Sequence, residues 1–478
     1  MRNYKLNNLR IRNIGDKILV TSNHNSWIFL EKDEFDSLIK ENLTDEELFV
    51  KLEKTGLIIT KDNEEIILNK LRKKYNFLNN GTSLHIIIPT LRCNHKCVYC
   101  HASSKDLNAE NCDMNEETAK KTVDFVFQSP SKAITIEFQG GEPLIRFDII
   151  RTIIDYAYKK NEKGKKDLRF ALVTNFSLMD KDKLDYLIKN NVGICTSLDG
   201  SKELHNKNRL FIGQGNSYDF VTNWLERLKK EYLKRSLKDR KASALITITK
   251  YSLPYWKEII DEYVRQDINT IHLRFLNNLG DARNTWENIS YSAEEFIDFW
   301  KKSMDYIIDL NKKGVNIKER ITGYILDKIL NEGEPNYLEQ RSPCGAVIGQ
   351  LTYNYNGDIY TCDEARMIGE DIFKLGNVKS DSYKQLLTSN KSCGIISASI
   401  NDCQICDACV YKPYCGICPV CNYAEQGSII GKIPETARCK IYKAQFDYIF
   451  DKILNDSEAR KVFDKWIEQI NLENKKFI

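Results

Sequence analysis

The sequence predicts an α/β protein built on an incomplete parallel barrel of six βα repeats, with a small winged-helix-like α+β unit before it and a cysteine-rich region after it. Three observations carry this. From residue 84 onward, runs rich in β-branched and aromatic residues alternate with segments of helical period. A loop dense in cysteine directly follows the first of those runs, and ten of the 15 cysteines crowd into the segment 344–439. A chain of 478 residues has room for two or three cores, and its composition divides it into 1–79, 80–335 and 336–440, with a C-terminal helix over 441–478.

Net charge is only +4, from 71 basic and 67 acidic residues, which argues against an obligate nucleic-acid or anionic-membrane surface and leaves small or peptidic substrates. Residues 1–14 carry basic side chains but no apolar targeting segment, and no apolar run approaches the roughly 18 residues of a membrane span. The expected location is cytoplasmic. Disulfides are disfavoured in that reducing compartment, so 15 cysteines point to metal.

Taken in order, 18–21, 26–30 and 57–60 read as short strands, and 32–41 and 44–55 as helices, the second with Thr44 as N-cap and Glu47 completing a capping box. Leu48, Phe49 and Leu52 supply its buried face. The pattern is similar to the PqqD-like peptide-recognition elements of ribosomally made peptide pathways; the other reading is a cap over the barrel. Residues 70–80, rich in Lys and Asn, read as a linker.

The barrel strands are predicted at 84–88, 133–138, 168–174, 192–198, 242–249 and 270–275. Between the first two, 116–128 places Ala119, Thr122, Val123, Val126 and Phe127 on one helical face. In parallel α/β sheets ligands sit at the carboxyl ends of the strands, and the polar motifs of this chain fall there. Gln139-Gly140-Gly141-Glu142-Pro143 follows the second strand: the glycines allow close backbone approach to a ligand, Pro143 stiffens the exit and Glu142 offers a carboxylate. Thr174-Asn175 ends the third strand, and Ser197-Leu198-Asp199-Gly200 the fourth. His85, His95, His101, His205 and His272 show no paired ligand spacing and read as loop or core residues, while Cys112 and Cys195 read as buried small hydrophobes. Residues 292–313 read as an amphipathic helix that closes the barrel section.

Cys93, Cys97 and Cys100, in the loop TLRCNHKCVYC after the first strand, have C-x3-C-x2-C spacing. Three thiolates so close repel one another and oxidise unless a soft metal holds them. No fourth cysteine follows until Cys112, so one metal position stays open for a substrate or cofactor, which a structural zinc knot would not need. The loop resembles the signature of the radical S-adenosylmethionine (SAM) enzymes, including the aromatic Tyr99 before the last cysteine. That resemblance implies a [4Fe-4S] cluster on Cys93, Cys97 and Cys100 with SAM on its unique iron. It also implies that Gly140, Gly141, Glu142 and Pro143 grip the methionyl amino group. Asn175, Ser197 and Asp199 match SAM-site positions, and Arg209 lies where relatives place an arginine near the SAM carboxylate or ribose.

The C-terminal cysteines resemble the SPASM extension of those enzymes: Cys344, Gly357 and Cys362, then Cys406-x2-Cys409-x5-Cys415-x2-Cys418, then Cys439. The interval before Cys418 is one residue short of the pattern. By position, Cys344, Cys362 and Cys418 go to a nearer [4Fe-4S] cluster, with Cys403, Cys421 and Cys393 open as further candidates, and Cys406, Cys409, Cys415 and Cys439 go to a distal one. A zinc ribbon is the other reading of the C-x2-C pairs. Within the superfamily the motifs look most like the maturases of the His-Xaa-Ser peptide system. The resemblance implies a 5′-deoxyadenosyl radical that oxidatively modifies or crosslinks side chains of a ribosomally made precursor peptide, fed by a flavodoxin- or ferredoxin-like reductant. Two alternatives are a formylglycine-generating sulfatase maturase and a non-catalytic iron–sulfur electron-transfer or zinc-binding protein.

Overall fold

Alternating burial along the strands of the central region shows how the sheet is covered: Ile134, Ile136 and Phe138 are buried toward the helices, while Thr135 and Glu137 between them face inward. In the computed structural model, which describes residues 3–237, 240–335, 337–402 and 404–475, these runs form one nine-stranded sheet.

The N-terminal unit is a meander of β1 (Arg10–Ile14), β2 (Lys17–Thr21) and β3 (Trp27–Leu30), followed by α1 (Lys32–Ile39), α2 (Glu46–Thr55) and α3 (Glu64–Lys74). The N-cap of α2 is Asp45 rather than Thr44, because the Asp45 carboxylate accepts the Leu48 N–H at 3.1 Å. The expected linker is instead α3 followed by a turn of 3-10 helix. Asn69, Lys73, Asn76 and Asn79 face solvent, while Ile67 and Phe77 are buried and Phe77 lies 4.0 Å below the Arg341 guanidinium.

The barrel strands are β4 (Leu84–Ile87), β5 (Ala133–Phe138), β6 (Asp167–Val173), β7 (Val192–Ser197), β8 (Ser243–Thr247) and β9 (Leu273–Arg274), all parallel and adjacent in that order. Helices α4 (Glu116–Val126), α5 (Phe147–Gly164), α6 (Lys181–Lys189), α7 (Ser217–Lys234), α8 (Trp256–Arg265) and α9 (Ala293–Lys312) pack their apolar stripes on the outer face, and α9 starts from a Ser292/Glu295 capping box. The predicted sixth strand is split. Thr270–Ile271 pairs with Lys318–Glu319, and the chain then changes partner to β8 where the Glu319 carboxylate accepts the Leu273 N–H.

Beyond α10 (Arg320–Leu330), the cysteine-rich region continues the same sheet. β10 (Gln350–Tyr353) pairs in parallel with β4, and β11 (Asp358–Tyr360) and β12 (Lys374–Asn377) follow antiparallel. The expected single C-terminal helix is two, α12 (Ala437–Asn455) and α13 (Ser457–Lys475), broken where the Asp456 carboxylate caps the second through the Ala459 N–H at 2.9 Å. Phe450 of α12 packs against Trp27 and Phe29 of β3, with ring centroids 5.4 and 6.2 Å apart. Both faces of the N-terminal meander are thus covered, one by α12 and the other by its own α1 and α2 through Ile18, Val20, Ile28 and Leu30.

Candidate functional site

The cysteine loop leaves β4 and is held by pairings far apart in sequence. His95–Cys97 forms an antiparallel ladder with Arg209–Phe211, which sets Arg209 opposite Cys97. On the other side, Gly141 donates to the Thr90 carbonyl at 3.0 Å and the Glu142 N–H to the Arg92 carbonyl at 2.8 Å. Side chains on the paired glycines would collide with this loop: a Cβ on Gly140, at φ +141°, would lie 2.3 Å from Thr90 O, and one on Gly141 2.2 Å from Arg92 O. The glycines therefore admit the cysteine loop itself, where the sequence suggested the approach of a ligand.

A cavity of about 190 Å³ opens at the carboxyl ends of the strands. Cys93, Cys97, Tyr99, Cys100, Gly140, Gly141, Glu142, Asn175, Ser197 and Arg209 all line it, so ten of the predicted residues converge. Pro143 begins the 3-10 turn behind the glycines, and Asp199 lies just outside the lining, fully buried. The Tyr99 hydroxyl donates to Asp199 Oδ2 at 2.5 Å, and Arg209 Nε reaches the same oxygen at 3.2 Å. The guanidinium carbon lies 5.2 Å from the Tyr99 ring centroid, and Arg209 Nη1 lies 3.8 Å from Cys97 Sγ. Glu142 accepts from Leu144 N at 3.0 Å, Thr174 Oγ1 at 2.7 Å and Asn175 N at 2.8 Å. Burial nonetheless pushes its carboxyl up to about 7.

The three thiols suit a metal cluster. Burial pushes Cys93 up and Cys97 to about 12, so neither would hold a negative charge unaided, and Arg209 is the cation beside Cys97. Among the described residues no three Cys, His, Asp or Glu side chains converge as ligands of a single ion. Three thiols from one loop around one cavity suit the corners of a multi-iron cluster. The same lining offers the Glu142 carboxylate and the Arg209 guanidinium, opposite charges for the two ends of an amino acid such as the methionyl part of SAM.

In the C-terminal region Cys406, Cys409, Cys415 and Cys439 line one small cavity, which Cys418 also borders. Cys344 and Cys362 lie in a separate apolar cluster against which Cys418 packs. Cys362 and Cys418 each cap a helix, their sulfurs accepting Ala365 N at 3.4 Å and Cys421 N at 3.5 Å. Cys393 is exposed on its helix, and Cys403 lies outside the described residues.

Several lining residues were not singled out from the sequence. Arg274, at the end of β9, reaches into the cavity while pairing with Glu364 at 2.9 Å, and Met367 enters from the cysteine-rich region. A strand-end position was a usable signal for Arg274; Met367 had none. His95 and His101 also line the cavity, bonded to Ser217 Oγ at 2.9 Å and to the Asn277 carbonyl at 3.0 Å, which accords with loop histidines. Cys112 is buried, but Cys195 is only partly so. It faces the barrel interior because Ile194 and Thr196 beside it point to the helices.

Comparison with known proteins agrees with this geometry. Residues 87–262 match the Radical SAM superfamily, and residues 344–410 match the SPASM iron-sulfur cluster-binding domain. The cysteine-type anaerobic sulfatase-maturating enzyme of Clostridium perfringens (strain 13 / Type A) is 25% identical over 373 residues, spanning 76% of this chain and 95% of its own. Native anSMEcpe with bound AdoMet is 23% identical and shares the fold with a TM-score of 0.65, covering 78% of this chain and 98% of its own. Streptococcus suis SuiB bound to precursor peptide SuiA is 16% identical with a TM-score of 0.53, covering 90% of this chain and 98% of its own. With a radical SAM domain over the barrel and an iron–sulfur SPASM domain continuing its sheet, the chain is a radical SAM–SPASM enzyme.

Proposed function

We propose that this enzyme oxidatively modifies, by crosslinking, side chains of a ribosomally made precursor peptide, with repeated His-Xaa-Ser units as its substrate motif. The N-terminal unit is the observation that carries this reading. It is a three-stranded meander with three helices, and the SuiB structure, whose printed partner is a precursor peptide, covers 90% of this chain against 78% for anSMEcpe. The match to anSMEcpe has the higher TM-score, 0.65 against 0.53, which supports a second reading as a formylglycine-generating maturase. The two are separated by offering the reconstituted enzyme, with SAM and reductant, a His-Xaa-Ser precursor and a sulfatase-derived Cys or Ser peptide. Modification of the precursor alone is expected; formylglycine in the sulfatase peptide alone would establish the second reading.

Bound at Cys93, Cys97 and Cys100, a reduced cluster with SAM supplies hydrogen-atom abstraction from an unactivated C–H bond, with electrons from a flavodoxin- or ferredoxin-like donor. The chain contributes orientation and charge. Tyr99, Asp199 and Arg209 lock the cysteine loop against the end of β7, and Glu142 ties the ends of β5 and β6 together while presenting a carboxylate to an ammonium. Glu142→Gln is therefore expected to weaken SAM binding by about tenfold or more. In the unsubstituted protein, binding is expected to tighten as pH rises through about 7, because the ionised carboxylate attracts the ammonium, and the variant should lose that dependence. Calorimetric titration with SAM across this range checks both.

A leader peptide would add to an edge of the β1–β3 sheet, since both faces are already covered. Deleting 1–79 is not a clean test. The unit grips the loop between Cys406 and Cys415, through Arg10 to Asp407, Thr21 Oγ1 to Val410 O at 2.7 Å and Lys74 Nζ to Pro413 O at 3.0 Å. Truncation would also uncover Phe450. Hydrogen exchange on the full chain is better: the precursor should protect amides of Arg10–Ile14 or Trp27–Leu30. Protection confined to the barrel mouth would leave the unit a cap. Among the described residues no helix is long and apolar enough to cross a membrane.

A further inference from the structure

We infer that Cys421 completes the ligand set of the nearer auxiliary cluster, as a fourth thiolate beside Cys344, Cys362 and Cys418, and that Arg438 offsets the negative charge so assembled. This rests on the iron–sulfur reading of the C-terminal region and deepens it.

Sequence spacing left the site ambiguous, because Cys418 comes one residue early and Cys393, Cys403 and Cys421 all remained as candidates. The fold separates Cys421 from Cys393, while Cys403 lies outside the described residues. Cys418 caps α11 (Pro419–Gln426), so Cys421 falls in the first turn of the same helix, its N–H 3.5 Å from Cys418 Sγ and its thiol 3.7 Å from Asn277 Oδ1. Helical geometry thus places both cysteines at one end of α11, a juxtaposition that a three-residue step along a helix produces and a loop does not ensure. Cys421 is 5% exposed, whereas Cys393 is in solvent.

A second observation points to an anion at this spot. Arg438 is 7% exposed, and its Nη2 donates to Cys421 Sγ at 3.2 Å. Nη1 donates to the Tyr442 hydroxyl at 3.0 Å and lies 3.7 Å from Glu339, yet the buried Nε has no partner. A buried guanidinium with an idle N–H costs free energy unless further negative charge lies nearby, and a four-thiolate [4Fe-4S] cluster carries net negative charge. The chain thereby supplies both the ligand and its counter-charge from α11 and the start of α12. One consequence follows for the reaction: with all four corners held by cysteine, the nearer cluster has no open iron for peptide and can only exchange electrons.

The test uses the full chain with Cys93, Cys97 and Cys100 changed to Ala, so that only auxiliary clusters give a signal. After reduction, this parent should show about eight irons per chain and an electron paramagnetic resonance spectrum unchanged by added cyanide, the probe for an open iron. Adding Cys421→Ala should create a cyanide-responsive cluster or lower the iron toward about four, and Cys421→Ser should keep about eight irons with a shifted spectrum. Cys403→Ala should do neither. A cyanide shift in the parent, or an unchanged spectrum and iron content in both Cys421 variants, would overturn the assignment even if the alanine variant folds poorly. Zinc in place of iron in the parent would instead overturn the cluster reading on which it rests.

Discussion

Changing Cys93, Cys97 and Cys100 together to Ala should abolish SAM cleavage while leaving the C-terminal iron in place. The three thiols come from one loop, line one cavity and are separated from the C-terminal cysteines, which sit in a distinct apolar cluster and a distinct small cavity. Losing the barrel ligands removes one cluster of about four irons from a total of about twelve, so about eight should remain. The sheet is unaffected, because its order depends on β4 and its neighbours and not on the thiols. Iron and sulfide analysis alongside quantification of 5′-deoxyadenosine checks this. Undiminished 5′-deoxyadenosine from the triple variant would show that the catalytic cluster lies elsewhere.

Gly141→Ala should have an effect almost as large without touching a ligand. The added Cβ would lie 2.2 Å from Arg92 O and 2.5 Å from Leu91 O, backbone atoms that cannot rotate away. Overpacking of this kind costs about 1–3 kcal/mol when the neighbours yield. Here what must yield is the loop adjoining Cys93, together with the Gly141 to Thr90 and Glu142 to Arg92 hydrogen bonds that fix it. A displacement near 1 Å at a reacting centre is worth about a hundredfold in rate, so SAM cleavage should fall by about that factor or more. Gly394→Ala is the control, since nothing lies within 4 Å of its Cβ position, and it should leave cleavage unchanged. Equal activity of Gly141→Ala and the control would mean that the loop is not held as described.

What was legible in the sequence is what is encoded locally. The six strand runs, the cysteine spacing and the strand-end motifs each fit within a dozen residues, and the fold places ten of the predicted residues around one cavity. Contacts between distant segments were not legible. Nothing near Gln350 announces that it pairs with Leu84, so the cysteine-rich region read as a separate unit although its strands extend the barrel sheet. The ladder between Cys97 and Arg209 explains why that arginine is present in the cavity, yet it joins residues more than a hundred positions apart. Polar composition misled at α3, where Asn69 and Lys73 mark a solvent face and not a linker, and Lys74 reaches inward to the Pro413 carbonyl. A uniform helical pattern hid the break at Asp456, because a capping carboxylate resembles any other surface charge until its partner N–H is seen.

The most direct test of the central claim, that the cavity above β4–β9 brings SAM chemistry to a peptide side chain, is isotopic. The reconstituted enzyme would be incubated with SAM, reductant and a precursor carrying deuterium on its candidate side chains, and the 5′-deoxyadenosine examined by mass spectrometry. Deuterium from the peptide is expected in that product, in step with modification of the precursor. Modified precursor accompanied by 5′-deoxyadenosine that never acquires deuterium from any labelled side-chain position would contradict it.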